Sequence, residues 1–327
     1  MKQPILRIGI LALLFVFIAA PDMNFNVMVP AAVSFPDHIR SVAMVDRTLP
    51  EDEAKSFIEG TLTGELAGED KLSTQILMDG IHSIMSNSAT LDFVRTPEVL
   101  SGSSAVSESF PEALDWETVS RLCEKYQVSA ILAIEIFDSD FIFVPGVSQM
   151  ANVKAGIRMY DPVGKSILDQ YIFNHQIALG GDVRTVEGAL GSIINKTEAI
   201  REVSYDAGVI YGQRISPSWY RVSRKYYRKS KRDPDLAEGA RMMEVNDWDA
   251  AREALMTAVE NGRKRKIRGR AAHNLAMVHE IEGNLEEAKS WAQTAWGKYK
   301  NKDSRDYLYD LNRRINESRI LDEQLNR

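Results

Sequence analysis

The chain has 327 residues, 44% of them apolar, with a formal net charge of −6. That composition supports real cores, excludes a disordered chain and suits roughly two domains, while the single cysteine, Cys123, excludes an internal disulfide framework. The net charge conceals an asymmetry, since residues 1–220 hold 16 Lys/Arg against 28 Asp/Glu and residues 221–327 hold 24 against 18; opposite surfaces of this kind attract each other or a shared partner.

In chain order, Lys2 and Arg7 precede an apolar run from Ile8 to Ala20, which has the length of a signal-peptide core and is short for a membrane span. Residues 1–20 are therefore expected to be a signal peptide or, because Pro21 is unfavourable just after the cut, an uncleaved N-terminal anchor. Either directs the chain to the periplasm or cell envelope. No cysteine follows the run before Cys123, so the chain as written is not expected to be a lipoprotein. Residues 21–40, with Pro30 and Pro36, read as an extended linker. Ser41 to Asp46 reads as a short buried strand, Glu51 to Asp70 as an acidic, glycine-containing segment, and Leu72 to Asn87 as a helix with Leu72, Ile76, Leu77, Ile81 and Ile84 on one face. Leu91 to Arg95 is a strand, Gly102 to Ser109 a serine-rich loop, and Trp116 to Gln127 an amphipathic helix that places Cys123 on its buried face. Val128 to Phe137 is nearly all apolar, as befits a central strand covered on both faces. Val153 to Tyr160 and Ser166 to Asn174 form a hairpin around Asp161-Pro162-Val163-Gly164. The order β-α-β-α-β followed by a hairpin predicts an α/β (α+β) domain over 41–182 with a mixed sheet. Connecting helices are expected over 183–232: one from Val183 to Arg214, then a second started by Ser216-Pro217 and carrying Trp219, Val222, Tyr226 and Tyr227.

From 233 to 327 the chain repeats itself. Gly239, Trp248, Ala251, Leu255 and Ala258 recur thirty-seven residues later as Ala276, Leu285, Ala288, Ala292 and Ala295, the mark of paired helices whose small residues sit at close crossings. Ala272 to Ala295, with Leu275, Ala276, Ala288, Ala295 and the turn residue Gly283, resembles a tetratricopeptide repeat; Leu236 to Glu260 is a weaker copy, with Glu238 at a usually apolar position. Tyr307, Leu308, Leu311 and Ile315 mark a closing helix. The resemblance implies an all-α, tetratricopeptide-like domain with a concave groove. Its lining would be Leu236, Ala240, Met243 and Glu244 from one unit and Arg270, His273, Met277 and Glu280 from the next. Such a surface suits an extended peptide or a helix.

Val29-Pro30-Ala31, Pro36 ahead of Ser41-Val42-Ala43-Met44-Val45-Asp46-Arg47, and Ile215-Ser216-Pro217-Ser218-Trp219 leading to Arg224-Lys225-Tyr226-Tyr227 resemble an uncharacterised family of Bacteroidota envelope proteins, domain of unknown function 6340. The likeness spans nearly all of the chain past the leader and supplies no reaction. Members of that family commonly look like lipoproteins, from which the missing cysteine is a departure.

Other constellations carry less chemistry. Gly164-Lys165-Ser166 lacks the glycine five residues earlier that a phosphate loop needs, Met159 standing there. Asp138-Ser139-Asp140, at the expected end of the strongest strand, could hold a divalent metal or a small molecule, but no third acidic ligand is evident. The five histidines show no metal-ligand spacing, and no cofactor is expected. Two basic clusters, residues 221–232 with Tyr226 and Tyr227 among them and residues 263–270, suit a solvated face or contact with acidic surface, with anionic lipid or polymer as the alternative. Export argues against nucleic acid. The sequence thus predicts a non-enzymatic, protein-binding scaffold of the cell envelope whose partner is an envelope protein or peptide, with self-association and peripheral membrane contact as further possibilities. A sensor or enzyme centred on Asp138 and Asp140 is the alternative class.

Overall fold

The computed structural model describes residues 22–49, 69–102, 109–144, 148–179, 186–228 and 233–327. The expected signal peptide or anchor, the expected acidic segment up to residue 68, residues 103–108, Gly180-Gly181 and residues 229–232 of the first basic cluster lie outside the described residues. The described residues form two compact units, one of those within 28–220 and 317–327, the other of those within 221–316 and 22–27.

The first unit is an α/β sandwich. Its strands are β2 (Ser41–Leu49), β3 (Asp92–Ser101), β4 (Ala130–Val144), β5 (Ser148–Asp161) and β6 (Ser166–Leu179), in the order β3-β2-β4-β5-β6. Both β3 and β4 run parallel to β2, whereas β4, β5 and β6 are antiparallel, so the sheet is mixed, as its β-α-β-α-β-hairpin order predicts. Helices α1 (Glu69–Met85) and α3 (Val186–Ile215) cover one face, where Leu77, Ile81, Val203 and Tyr211 pack on Met44, Leu132, Ile134 and Ile157. Helix α2 (Trp116–Tyr126) covers part of the other, with Val119, Leu122 and Cys123 against Ala43, Val45, Ile131, Ala133 and Tyr160. Asp115 caps α2 by accepting from the Thr118 N–H at 2.8 Å. Helices α1 and α3 cross where neither has a side chain: a Cβ on Gly208 would stand 2.0 Å from the Leu77 carbonyl oxygen and one on Gly80 2.1 Å from that of Tyr205.

Two expectations for the flanking segments are corrected. Residues 22–29 are not linker but β1 (Asp22–Val29), and the helix expected after Pro217 is instead β7 (Ser218–Lys225), the two strands forming a separate small sheet. The Ser216 hydroxyl does not cap a helix. It donates to the Ser88 hydroxyl at 2.9 Å, and Trp219, Tyr220 and Val222 beyond it, aromatic or β-branched, suit the extended form that pairing with β1 rewards.

Among the described residues the second unit is all-α apart from that ribbon. Helices α4 (Pro234–Glu244), α5 (Trp248–Asn261), α6 (Arg265–Ile281) and α7 (Leu285–Gly297) pack in succession, followed by α8 (Lys302–Leu325), whose residues through Asn316 belong here. Asp233 and Asp247 cap α4 and α5 through the Leu236 and Ala250 N–H groups. The positions that recur in sequence are the close crossings: Gly239, Ala251, Ala258, Ala276, Ala288, Ala292 and Ala295 are buried, and a Cβ on Gly239 would lie 2.5 Å from the Leu255 side chain. Gly283, at φ +83°, makes the turn between α6 and α7 in a conformation that favours glycine. Among the described residues no helix is long and apolar enough to cross a membrane.

Candidate functional site

Helix α6 organises the site. Arg270, His273, Asn274 and Glu280 share one face with Met277, and each of the four meets residues 224–228, the extended segment that runs out of β7. Asn274, fully buried, accepts from the Tyr227 N–H and donates to the Tyr227 carbonyl, both at 2.9 Å. One amide thereby satisfies both backbone groups of a residue outside regular structure, a need that burial makes absolute. His273 donates from Nε2 to the Lys225 carbonyl at 2.9 Å and accepts at Nδ1 from the Ser304 hydroxyl at 2.9 Å. A carbonyl can only accept, so the neutral ring carries its proton on Nε2. Burial pushes the pKa of this imidazole down, against the opposing pull of the Lys225 carbonyl.

Side chains of the segment are held as firmly. Glu280, 3% exposed, takes the Arg224 guanidinium on both oxygens at 3.0 and 3.1 Å and is also bonded by Tyr307. Tyr226 donates to Glu244 at 2.8 Å, and Arg228 bonds the same carboxylate. The Tyr227 hydroxyl, whose pKa burial and a bond to Asp303 push up to about 12, lies under Arg270, whose guanidinium stands 4.8 Å from the ring centroid.

The eight residues expected to line an open groove therefore have other duties. Leu236, Ala240, Met243 and Met277 are at most 1% exposed and belong to the core, His273 and Glu280 are buried and bonded to residues 224–228, and only Glu244 and Arg270 reach the rim. The face is covered by the chain's own Arg224 to Arg228. Four short helices cannot leave a hydrophobic face uncovered, and the arginines and tyrosines read as a basic cluster supply the cover. On the solvent side a cleft of about 300 Å³ remains, walled by Asp303, Asp306 and Asp310 of α8 and by Arg224 and Lys225, with His273 and Met277 also lining it.

The other sequence candidates fare differently. Asp138 and Asp140 do not stand at a strand end: β4 continues to Val144, and they pair in register with Lys154 and Asn152 of β5. Among the described residues no group of three or more metal-ligating side chains converges. Gly164-Lys165-Ser166 is the hairpin turn, tied by the Val163 N–H to Asp161 at 2.9 Å. Of the basic residues 263–270, Arg263 to Lys266 are exposed where α6 begins, while Arg268 bonds the Gly262 carbonyl at 2.7 Å. Cys123 is buried and burial lifts its pKa to about 11, as suits a packing residue.

Sequence reasoning passed over Glu135. This fully buried carboxylate receives Arg47 and the Tyr160 hydroxyl on one oxygen, at 2.9 and 2.5 Å, and Arg158 on the other at 3.0 Å. The same arginines hold the carbonyls of Glu112 and Pro111, so the cluster fastens that segment to the sheet. The signal was a lone acid inside the apolar run Val128 to Phe137.

The family model described as "Domain of unknown function (DUF8603)" matches residues 39–227, and the model for DUF6340 matches residues 237–316. The DUF6340 match thus covers the helical segment rather than nearly the whole chain, and the residues from 215 to 227 that resembled that family fall under DUF8603. No curated protein matches the chain. Among solved structures, it is similar to the PelC dodecamer from Paraburkholderia phytofirmans (10% identity, 60% of this chain and 99% of that one, TM-score 0.27). It is also similar to the hypothetical protein CT253 from Chlamydia trachomatis (12%, 53% and 96%, 0.28) and to lipoprotein GNA1162 from Neisseria meningitidis (13%, 49% and 98%, 0.22). Likenesses this distant carry no functional argument. With more than half of its length matched by one model, the chain belongs to the DUF8603 family.

Proposed function

We propose that this protein is an exported, non-enzymatic scaffold of the cell envelope that binds an extended segment of a partner protein along its tetratricopeptide-like helical unit. One observation carries the reading: α4 and α6 already grip an extended segment, Arg224 to Arg228, by its backbone through Asn274 and His273 and by alternating side chains through Glu280 and Glu244. Extended-peptide recognition combines the same two kinds of contact. The cleft left beside that segment is where a partner strand docks. Asp303 accepts from the Tyr227 hydroxyl, and Asp306 and Asp310 bond Arg305 and Arg313 beside the cleft; of the groups that line it, three acids face Lys225 and Arg224, the latter already held by Glu280, so a partner Lys or Arg is the complement. The apolar run Ile8 to Ala20 supports export.

A photo-crosslinking residue in place of exposed Asp306, with one in place of Val163 at the hairpin tip as reference, tests this in intact cells. A single recurrent envelope protein captured from position 306 and not from 163, and lost when Asp310→Lys is added, is the expected result. Equal capture from both positions, or none from 306, would refute the cleft as a docking site.

A further inference from the structure

The two edges of the α/β sheet are built differently. Strand β3 is a guarded edge: it carries Asp92, Arg95, Pro97 and Glu98, and its pairing with β2 shifts register twice within ten residues. Proline and charge on an outer strand are the devices that keep sheets from pairing with one another. Strand β6, at the opposite edge, has no proline and a single, buried acid. Its fourteen residues, SILDQYIFNHQIAL, include no Lys, Arg, Glu, Pro or Gly. The one acid, Asp169, is buried and held by Arg214 and Tyr211 at 2.9 to 3.0 Å. It pairs with β5 along its whole length, with a single register shift near the turn, while α3 crosses one face. Among the described residues no strand or helix pairs with the outer edge of β6. Ile167 and Ile172 stand 38% and 37% exposed along it, between polar neighbours.

From this asymmetry we infer that β6 is a self-pairing edge, joining antiparallel to β6 of a second copy of this chain so that two five-stranded sheets become one. Charge selects that occupant. A strand whose one acid is buried and already paired with Arg214 sets no exposed like charges together when it meets its own copy, whereas β6 meeting β3 of another copy would set Pro97 and three charged side chains against it. Geometry agrees, because pairing β6 with β6 places a two-fold axis at the contact and closes at two copies, while pairing β6 with β3 leaves an open edge at each end and grows without limit. The inference is independent of the scaffold reading, since it concerns only the α/β unit.

The test is sedimentation equilibrium of the full chain, with Ile172→Lys/Gln176→Lys as the perturbed form. Both side chains are exposed and stand opposite the uncharged Gly156 and Asn152 of β5, so no like-charge pair arises within one copy, but two-fold pairing brings four lysines to one contact. A dimer that weakens at least tenfold in the double variant, with an unchanged melting temperature, is the expected outcome. A monomer at every concentration, or a dimer indifferent to the lysines, would overturn the inference. Should the double variant fail to fold, Asn174→Cys decides. Oxidation should link two copies through position 174 and not through Val99→Cys on β3, and the reverse pattern refutes self-pairing through β6.

Discussion

Asn274→Ala is the sharpest probe of the helical unit. The substitution removes one amide and with it both bonds to the Tyr227 backbone, donated and accepted at 2.9 Å. Each backbone group left buried without a partner costs about 1–3 kcal/mol, so the segment should loosen by roughly 2–6 kcal/mol, with the small loss of side-chain packing added. The lower bound is a rise of roughly 30-fold in the opened population, at 1.4 kcal/mol per factor of ten. Trypsin reads this directly, because Arg224 and Lys225 are cleavable only when the segment lifts from α6. Where closing outpaces cleavage, the cutting rate follows that population. Native digestion with the sites assigned by mass spectrometry should therefore show cuts after Arg224 and Lys225 appearing at least 30-fold faster in the variant, while an exposed control, Asp306→Asn, behaves as wild type. A rate within threefold of wild type would refute the assignment of Asn274 as the clamp, and with it the account of how this face of the helices is covered.

In the α/β unit, Gly208→Ala drives a Cβ to 2.0 Å from the Leu77 carbonyl oxygen, a backbone atom that no rotamer change can move; about 1–3 kcal/mol of destabilisation is expected, and an unchanged urea midpoint would sink the close crossing. Glu135→Leu leaves Arg47 and Arg158, at side-chain exposures of 10% and 8%, without their shared carboxylate. The loss should be about 3–5 kcal/mol and should be largely recovered when both arginines are also replaced by methionine; no recovery would mean that the carboxylate acts otherwise. His273 is held neutral, its pKa lowered by burial with Asp303 opposing. Below about pH 6.5 the unfolded ring takes a proton that the folded one refuses, so its contribution to stability is complete above that pH and falls away as the pH drops toward the folded-state value. Wild-type stability should decline from pH 7 to pH 5 more steeply than that of His273→Asn, and parallel curves would contradict this.

Much of the architecture was legible from local pattern. The apolar run from Val128 marks the central strand, the alternation on either side of Asp161-Pro162-Val163-Gly164 marks the hairpin, and the recurrence of Gly239, Ala251 and Ala258 at Ala276, Ala288 and Ala295 marks helix crossings. Each of these is a short-range signal, in which burial on one face imposes a period that survives in the residue order. The site was less legible. Trp219, Val222, Tyr226 and Tyr227 are spaced for a helix, yet Ser218–Lys225 is a strand, because β1, about two hundred residues earlier, offers the ladder that outweighs local preference.

By itself, then, the order of residues determined the mixed sheet, the succession of helices and the asymmetry of charge between the two parts. The tertiary structure alone decided what covers the groove. Glu280 and His273 read as free recognition groups until Arg224 and the Lys225 carbonyl, some fifty residues away, are seen to occupy them; likewise Glu135 is an anomaly in an apolar strand until Arg47 and Arg158 close on it from two others. A buried polar group must find its partner somewhere. Sequence shows that the group is there, and only the folded chain shows which distant residue answers it.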